Sequence, residues 1–116
     1  TASPKLRPRE EWFGADVITC AAPNLGAYTR IDDERLEEIH VFRGERVILT
    51  AINEGAEVLI LGAFGCGAFQ NPPEIVAKAY RRLVEMYGKF FDTIEFAVYC
   101  SARNTYNFDV FNNILG

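Results

Sequence analysis

The stretch "LILGAFGCGAFQNPPE" at positions 59–74 restricts this chain's folding more than any other. Val58 to Leu61 are consecutive aliphatics, the pattern of a strand buried on both faces. That run gives way to glycines spaced Gly62-x-x-Gly65-x-Gly67. Asn71 then precedes Glu74 at capping-box spacing, with Pro72 at the first helical position. The order is strand, tight loop, helix. Such a turn aims backbone N–H groups and the positive end of a helix dipole at one spot, an arrangement suited to an anion such as phosphate.

The glycine spacing differs from the dinucleotide fingerprint G-x-G-x-x-G, and no acidic ribose partner follows about 20 residues later. Without a Gly-Lys-Ser/Thr sequence, the loop also has no lysine for nucleotide hydrolysis. What remains is small residues that admit a diphosphate close to the backbone, although the same glycines would also serve tight strand-to-helix packing. On this reading, Gly65→Asp abolishes ligand binding and leaves the fold largely intact. Cys66 lies in the loop, where a helix N-terminus would lower its pKa. A nucleophilic thiol needs a base, however, and the only histidine, His40, falls inside the first helix as an ordinary surface or core residue. The acids Asp32, Asp33, Glu34, Glu37 and Glu38 read as helix-start charges. No catalytic constellation is complete, and neither a cofactor nor a metal site is expected.

The 116 residues, 49% hydrophobic and 24% charged, give room for one domain over 1–116, with an irregular lead-in at 1–14. Strands are expected at 15–20 ("ADVITC"), 57–61 and 93–99. Helices are expected from 32 or 33 to about 53, from 72 to about 87, and at 107–115. In the first helix Leu36, Ile39, Val47 and Ala51 form a stripe widened by Ile48 and Ile52, Asp33 is the N-cap, and Gly55 is the C′ residue. Gly44 inside it should mark a weak point or bend. In the second, Ile75, Ala79, Leu83 and Met86 line the apolar face and Gly88 ends it. The alternation β-α-β-α-β-α implies an α/β fold with a parallel sheet covered on both faces. Three strands are few for such a sheet, so the sequence reads as part of a domain.

A net charge of −4 argues against nonspecific nucleic-acid binding, and Arg81-Arg82 reads as solvated helix surface. The odd cysteine count, Cys20, Cys66 and Cys100, fits reduced thiols in a cytoplasmic protein. No apolar run reaches membrane-span length, and "TASPKLRPREEW" is not a signal peptide.

Aromatic residues flank the expected carboxyl edge of the sheet, where ligands of parallel sheets sit: Phe64 and Phe69 at the loop, Tyr106 and Phe108 after the third strand. Phe64 and Phe111 would equally serve as packing. With these residues in place, the sequence resembles the macrodomain superfamily, and more closely the C-terminal half of bacterial-type poly(ADP-ribose) glycohydrolases. The resemblance lies in "DVITCAAPN" at 16–24, "LILGAFGCGAFQNPPEIVA" at 59–77, "FAVYC" at 96–100 and "NFDVF" at 107–111. It implies a three-layer α/β/α macrodomain-like fold, here incomplete. It also implies a diphosphate loop made of Gly62, Ala63, Phe64, Gly65, Cys66, Gly67, Ala68 and Phe69, with Phe69 toward the distal ribose and Phe108 stacking on adenine. The implied partner is ADP-ribose or an ADP-ribosylated protein.

One departure bears on activity. The family's Gly-Gly-Gly segment followed by Gln-Glu-Glu, which carries the catalytic glutamate, has no counterpart, since "REEW" at 9–12 lacks the glycines and glutamine. The resemblance also implies a central strand that is missing between 15–20 and 57–61. The expectation is therefore the ADP-ribose-binding part of a glycohydrolase-like protein, either a piece of a larger chain or one completed by another copy. A noncatalytic ADP-ribose-binding module and a structural α/β oligomerisation protein are the other readings.

Overall fold

The computed structural model describes residues 5–26 and 30–116. Its long elements are α1 (Asp33–Asn53), β1 (Val58–Leu61), α2 (Pro73–Tyr87), β2 (Thr93–Phe96) and α3 (Tyr106–Leu115). The two strands pair in parallel, Val58 opposite Thr93 and Leu61 opposite Phe96, with α2 as the crossover. Bonds from Asp92 N–H to Glu57 O (2.8 Å) and from Ala97 N–H to Leu61 O (2.7 Å) extend the ladder at both ends. The α/β class with parallel strands is as expected.

The ends of α1 follow from local chemistry. Asp32, not Asp33, is the N-cap, its carboxylate accepting from Arg35 N–H at 2.8 Å. Gly55, at φ +77°, closes the other end in a Schellman motif, with Gly55 N–H to Ile52 O and Ala56 N–H to Ala51 O, both 3.0 Å. The buried stripe of α1 is Leu36, His40, Gly44, Ile48 and Ala51, one step round from the expected one, and Ile39 and Val47 are only half-buried. Gly44 makes no break. It lets α1 and α2 approach closely, since a Cβ there would meet Leu83 Cδ1 at 2.5 Å and Tyr80 Cζ at 3.2 Å.

The helix α2 starts one residue later than expected. Pro72 is the N-cap and Pro73 the first helical residue, without a side-chain cap. Asn71 does not take part in a capping box, because its amide is engaged elsewhere, as described below. Ile75, Val76, Ala77, Ala79, Tyr80 and Leu83 are buried along α2, whereas Met86 is half exposed. The core joins Ile48 and Ala51 of α1, Leu59 of β1, Val76, Ala77, Tyr80 and Leu83 of α2, and Phe111 of α3. Fully burying each of these larger side chains contributes about 1.5–3 kcal/mol.

Two expectations about the sheet are corrected. Residues 15–20 are exposed and form no regular secondary structure, and Val17 is 85% exposed. A β-type sequence becomes a strand only where neighbouring backbone pairs with it, and among the described residues β1 and β2 pair only with each other. The sheet is also covered on one face, not two. Leu59, Leu61, Ile94 and Phe96 face the helices, while Val58 and Ile60 on the other face are 55% and 62% exposed. Of the aliphatic run, Leu59 and Leu61 enter the core, while Val58 and Ile60 stay open among the described residues.

Candidate functional site

The glycine loop leaves the carboxyl end of β1 and runs into the first turn of α2, so a parallel-strand edge and a helix N-terminus meet there. It has an anchored half and an open half. Ala63, Phe64, Gly65 and Cys66 are partly buried, and Phe64 stands edge-on to His40 with centroids 5.9 Å apart. Gly67, Ala68 and Phe69 are exposed. Within the loop, Phe64 N–H bonds to Gly62 O (2.9 Å), Cys66 N–H to Ala63 O (3.1 Å), Gln70 N–H to Gly67 O (3.0 Å) and Asn71 N–H to Gly65 O (2.9 Å). Among the described residues, the N–H groups of Gly67, Ala68 and Phe69 have no acceptor. Three consecutive exposed residues thus carry backbone donors that no acceptor among the described residues engages.

Asn71 is the keystone of the anchored half. It is 2% exposed, and its Nδ2 donates to Pro23 O at 2.8 Å and Gly65 O at 2.9 Å, with a longer approach to Phe69 O at 3.5 Å. Its Oδ1 lies 2.8 Å from Nε2 of His40, which is fully buried on α1. Leu25 N–H to Phe69 O (2.9 Å) and Arg43 Nη1 to Ala21 O (2.9 Å) bind the 21–26 segment to the same assembly. Neither His40 nor Asn71 is among the site residues expected from the sequence. The available signals were the four-residue spacing Leu36, His40, Gly44, Ile48 and an asparagine directly before two prolines.

Gly65 fits this frame only as glycine. Its φ is +74°, and an added Cβ would lie 2.5 Å from Ala22 Cβ and 2.6 Å from Asn71 Nδ2. Gly65→Asp therefore cannot spare the fold, contrary to the sequence reading. Gly67 has nothing within 4 Å of a Cβ, which makes it the position for a clean substitution. Cys66 also differs from expectation. Burial, with Glu74 nearby, pushes its thiol up to about 12, so it stays protonated and inert. Its Sγ points to Phe64 O at 3.8 Å. Among the described residues, no three His, Cys, Asp or Glu side chains gather as metal ligands would.

The start of α3 lies beside the loop. Asn107 Nδ2 donates to Cys66 O at 3.4 Å, and the Tyr106 hydroxyl donates to Glu74 in the first turn of α2. Phe108, 44% exposed, lines a shallow groove with Ile94, Phe96, Val98 and Phe111. Phe111 itself is core, tilted against Phe96 at 6.0 Å.

Solved structures share this fold. Poly(ADP-ribose) glycohydrolase from Deinococcus radiodurans in complex with ADP-ribose is 33% identical over 81% of this chain and 40% of its own length, with TM-score 0.69. The fold is that of part of a bacterial poly(ADP-ribose) glycohydrolase. The enzyme from Thermomonospora curvata is 28% identical over 81% of this chain and 36% of that one (TM-score 0.72). Its complex with the inhibitor ADP-HPD is 30% identical over 69% and 31% (TM-score 0.64). The chain thus spans less than half the length of these glycohydrolases. No family model matches the sequence, and no curated protein does.

Proposed function

We propose that this chain supplies the ADP-ribose-binding part of a poly(ADP-ribose) glycohydrolase-like protein, with the diphosphate held on the arc from Gly67 to Phe69. The observation that carries the proposal is the set of three exposed N–H groups, without an acceptor among the described residues, in the loop leading into α2 of a chain similar to glycohydrolases crystallised with ADP-ribose. In this reading Gly62 to Phe69 line the diphosphate, Phe69 lies toward the distal ribose, and Phe108 stacks on adenine. Hydrolysis of ADP-ribose linkages by the whole protein is part of the same proposal. Glycosidic cleavage needs a positioned carboxylic acid. Glu74, nearest the loop in sequence, is already engaged by Tyr106, which favours binding without cleavage as the second reading for these 116 residues. Release of ADP-ribose from polymer by the purified chain would reject that second reading.

Calorimetry tests the site. Gly67→Asp should abolish ADP-ribose binding through like-charge repulsion, with an unchanged melting temperature. Phe108→Ala should weaken ADP-ribose by about 1–3 kcal/mol, the range for base stacking on aromatics, and leave ribose-5-phosphate, which has no base, nearly unaffected. Undiminished affinity in a folded Gly67→Asp variant refutes the cradle, and equal losses for both ligands in Phe108→Ala reduce that ring to packing.

The setting we propose is cytoplasmic, with ADP-ribose or an ADP-ribosylated protein as partner and without direct contact to nucleic acid or membrane. Three free thiols and the net charge of −4 support it, and no described helix is long and apolar enough to cross a membrane. The open face at Val58 and Ile60 and the strand edges left unpaired among the described residues favour a second polypeptide against the sheet, from another copy or from further protein. Light scattering that finds only a monomer of ordinary stability would count against another copy.

A further inference from the structure

The anchored half of the loop depends on one amide and one imidazole. Asn71 Nδ2 donates to Pro23 O and Gly65 O, which fixes the orientation of the amide and leaves Oδ1 facing His40. The imidazole Nε2, 2.8 Å away, must therefore carry the proton and donate. We infer that His40, acting through Asn71, is a positioning residue for the ligand loop, its Nε2–H being the donor that keeps the Asn71 amide turned toward Pro23 and Gly65. The inference rests on reading that loop as the ADP-ribose cradle.

The physical argument concerns what happens when this donor is lost. Asn71 Oδ1 would be enclosed without a partner, since Asn71 is 2% exposed and His40 fully buried. Rotating the amide to rescue Oδ1 would turn it against the carbonyls of Pro23 and Gly65, acceptor facing acceptor. Either outcome releases Gly65, whose left-handed backbone is held by the hydrogen bond from that same amide to its carbonyl. The His40 ring also supports Phe64 edge-on, so α1 reaches the loop twice through one side chain.

The other ring nitrogen agrees with this assignment. His40 Nδ1 is buried without a hydrogen-bond partner among the described residues, so a charged ring would strand an N–H there. Burial draws the His40 pKa below its ordinary value, against the Asn71 hydrogen bond, and the nearby positive charge of Arg43 pulls the same way. The ring is neutral, with its proton on Nε2.

His40 is the sole histidine, so nitrogen-15 NMR of the 116-residue chain at neutral pH reads this ring without ambiguity. The expected spectrum is the neutral Nε2–H tautomer with a slowly exchanging ring proton and a bare Nδ1. An Nδ1–H tautomer or a doubly protonated ring overturns the inference. His40→Gln can return an N–H near the Nε2 position, whereas His40→Leu cannot. The leucine variant should bind ADP-ribose about tenfold more weakly, as for a loop competent only about a tenth of the time. It should also speed hydrogen exchange of the Asn71 N–H, which is bonded to Gly65 O at 2.9 Å, and His40→Gln should restore both properties. Equal exchange and affinity in the two variants would make His40 a space-filler and overturn the role. Should wild type show the expected tautomer and exchange pattern but no ADP-ribose binding, the positioning role stands and the ADP-ribose reading falls.

Discussion

Gly65→Ala is expected to cost on the order of 3 kcal/mol and to eliminate ligand binding with it. Two effects add at this position. The backbone is left-handed at φ +74°, which costs an ordinary L-residue about 1–2 kcal/mol. The new methyl would also sit 2.5 Å from Ala22 Cβ and 2.6 Å from Asn71 Nδ2, and neither neighbour can yield. Ala22 Cβ is fixed to the backbone, and Asn71 is held through its bonds to Pro23, Gly65 and His40. Displacing the amide would leave buried donors and acceptors unmatched, each costing about 1–3 kcal/mol. Gly67→Ala is the control, with open space around its Cβ and no positive φ, and should stay within about 0.5 kcal/mol of wild type. Urea denaturation of the pair measures the difference. Equal midpoints would show that the Gly65–Asn71–Ala22 contact is not close in solution.

That contact shows what local sequence carries and what it does not. The strand–loop–helix unit at 58–87 was legible because its signals are short-range: an aliphatic run, glycines, and Pro-Pro before a periodic apolar face. Gly55 and Gly88 ended their helices as expected for the same reason. Asn71 was misread because capping-box spacing describes four residues, whereas its real partners, His40 and Pro23, lie 31 and 48 positions away. The 15–20 segment failed differently. Its β-type composition is real, but strand formation needs a neighbour, which propensity does not encode. Cys66 illustrates a third limit. A helix N-terminus argues for a low thiol pKa, yet burial beside the Glu74 carboxylate reverses the sign. Of the candidate site, Gly62 to Phe69 were identifiable by pattern, but the division into an anchored and an open half required tertiary packing.

The core presents the other large expectation. Tyr80→Ala should destabilise the chain by about 3–5 kcal/mol, the range for deleting a buried aromatic ring. Tyr80 is 2% exposed and meets Phe96 of β2 edge-on at 6.0 Å. It also faces the notch at Gly44, where α1 passes within reach of the ring. One side chain thus joins α1, α2 and the sheet, and its removal opens a cavity that the backbone cannot close without separating the helices. Small domains have only about 5–15 kcal/mol of stability in total, and the described residues cover this sheet on one face alone, so the loss should take a large share. Burial, with Cys20 as a lesser contributor, raises the Tyr80 hydroxyl to about 12, so the ring stays neutral throughout the working pH range. Tyr80→Phe keeps the ring and should cost less than about 1.5 kcal/mol as a volume-conserving change. Chemical denaturation that ranks the two variants equally would mean that the hydroxyl, not the ring's packing between α1 and β2, is what position 80 contributes.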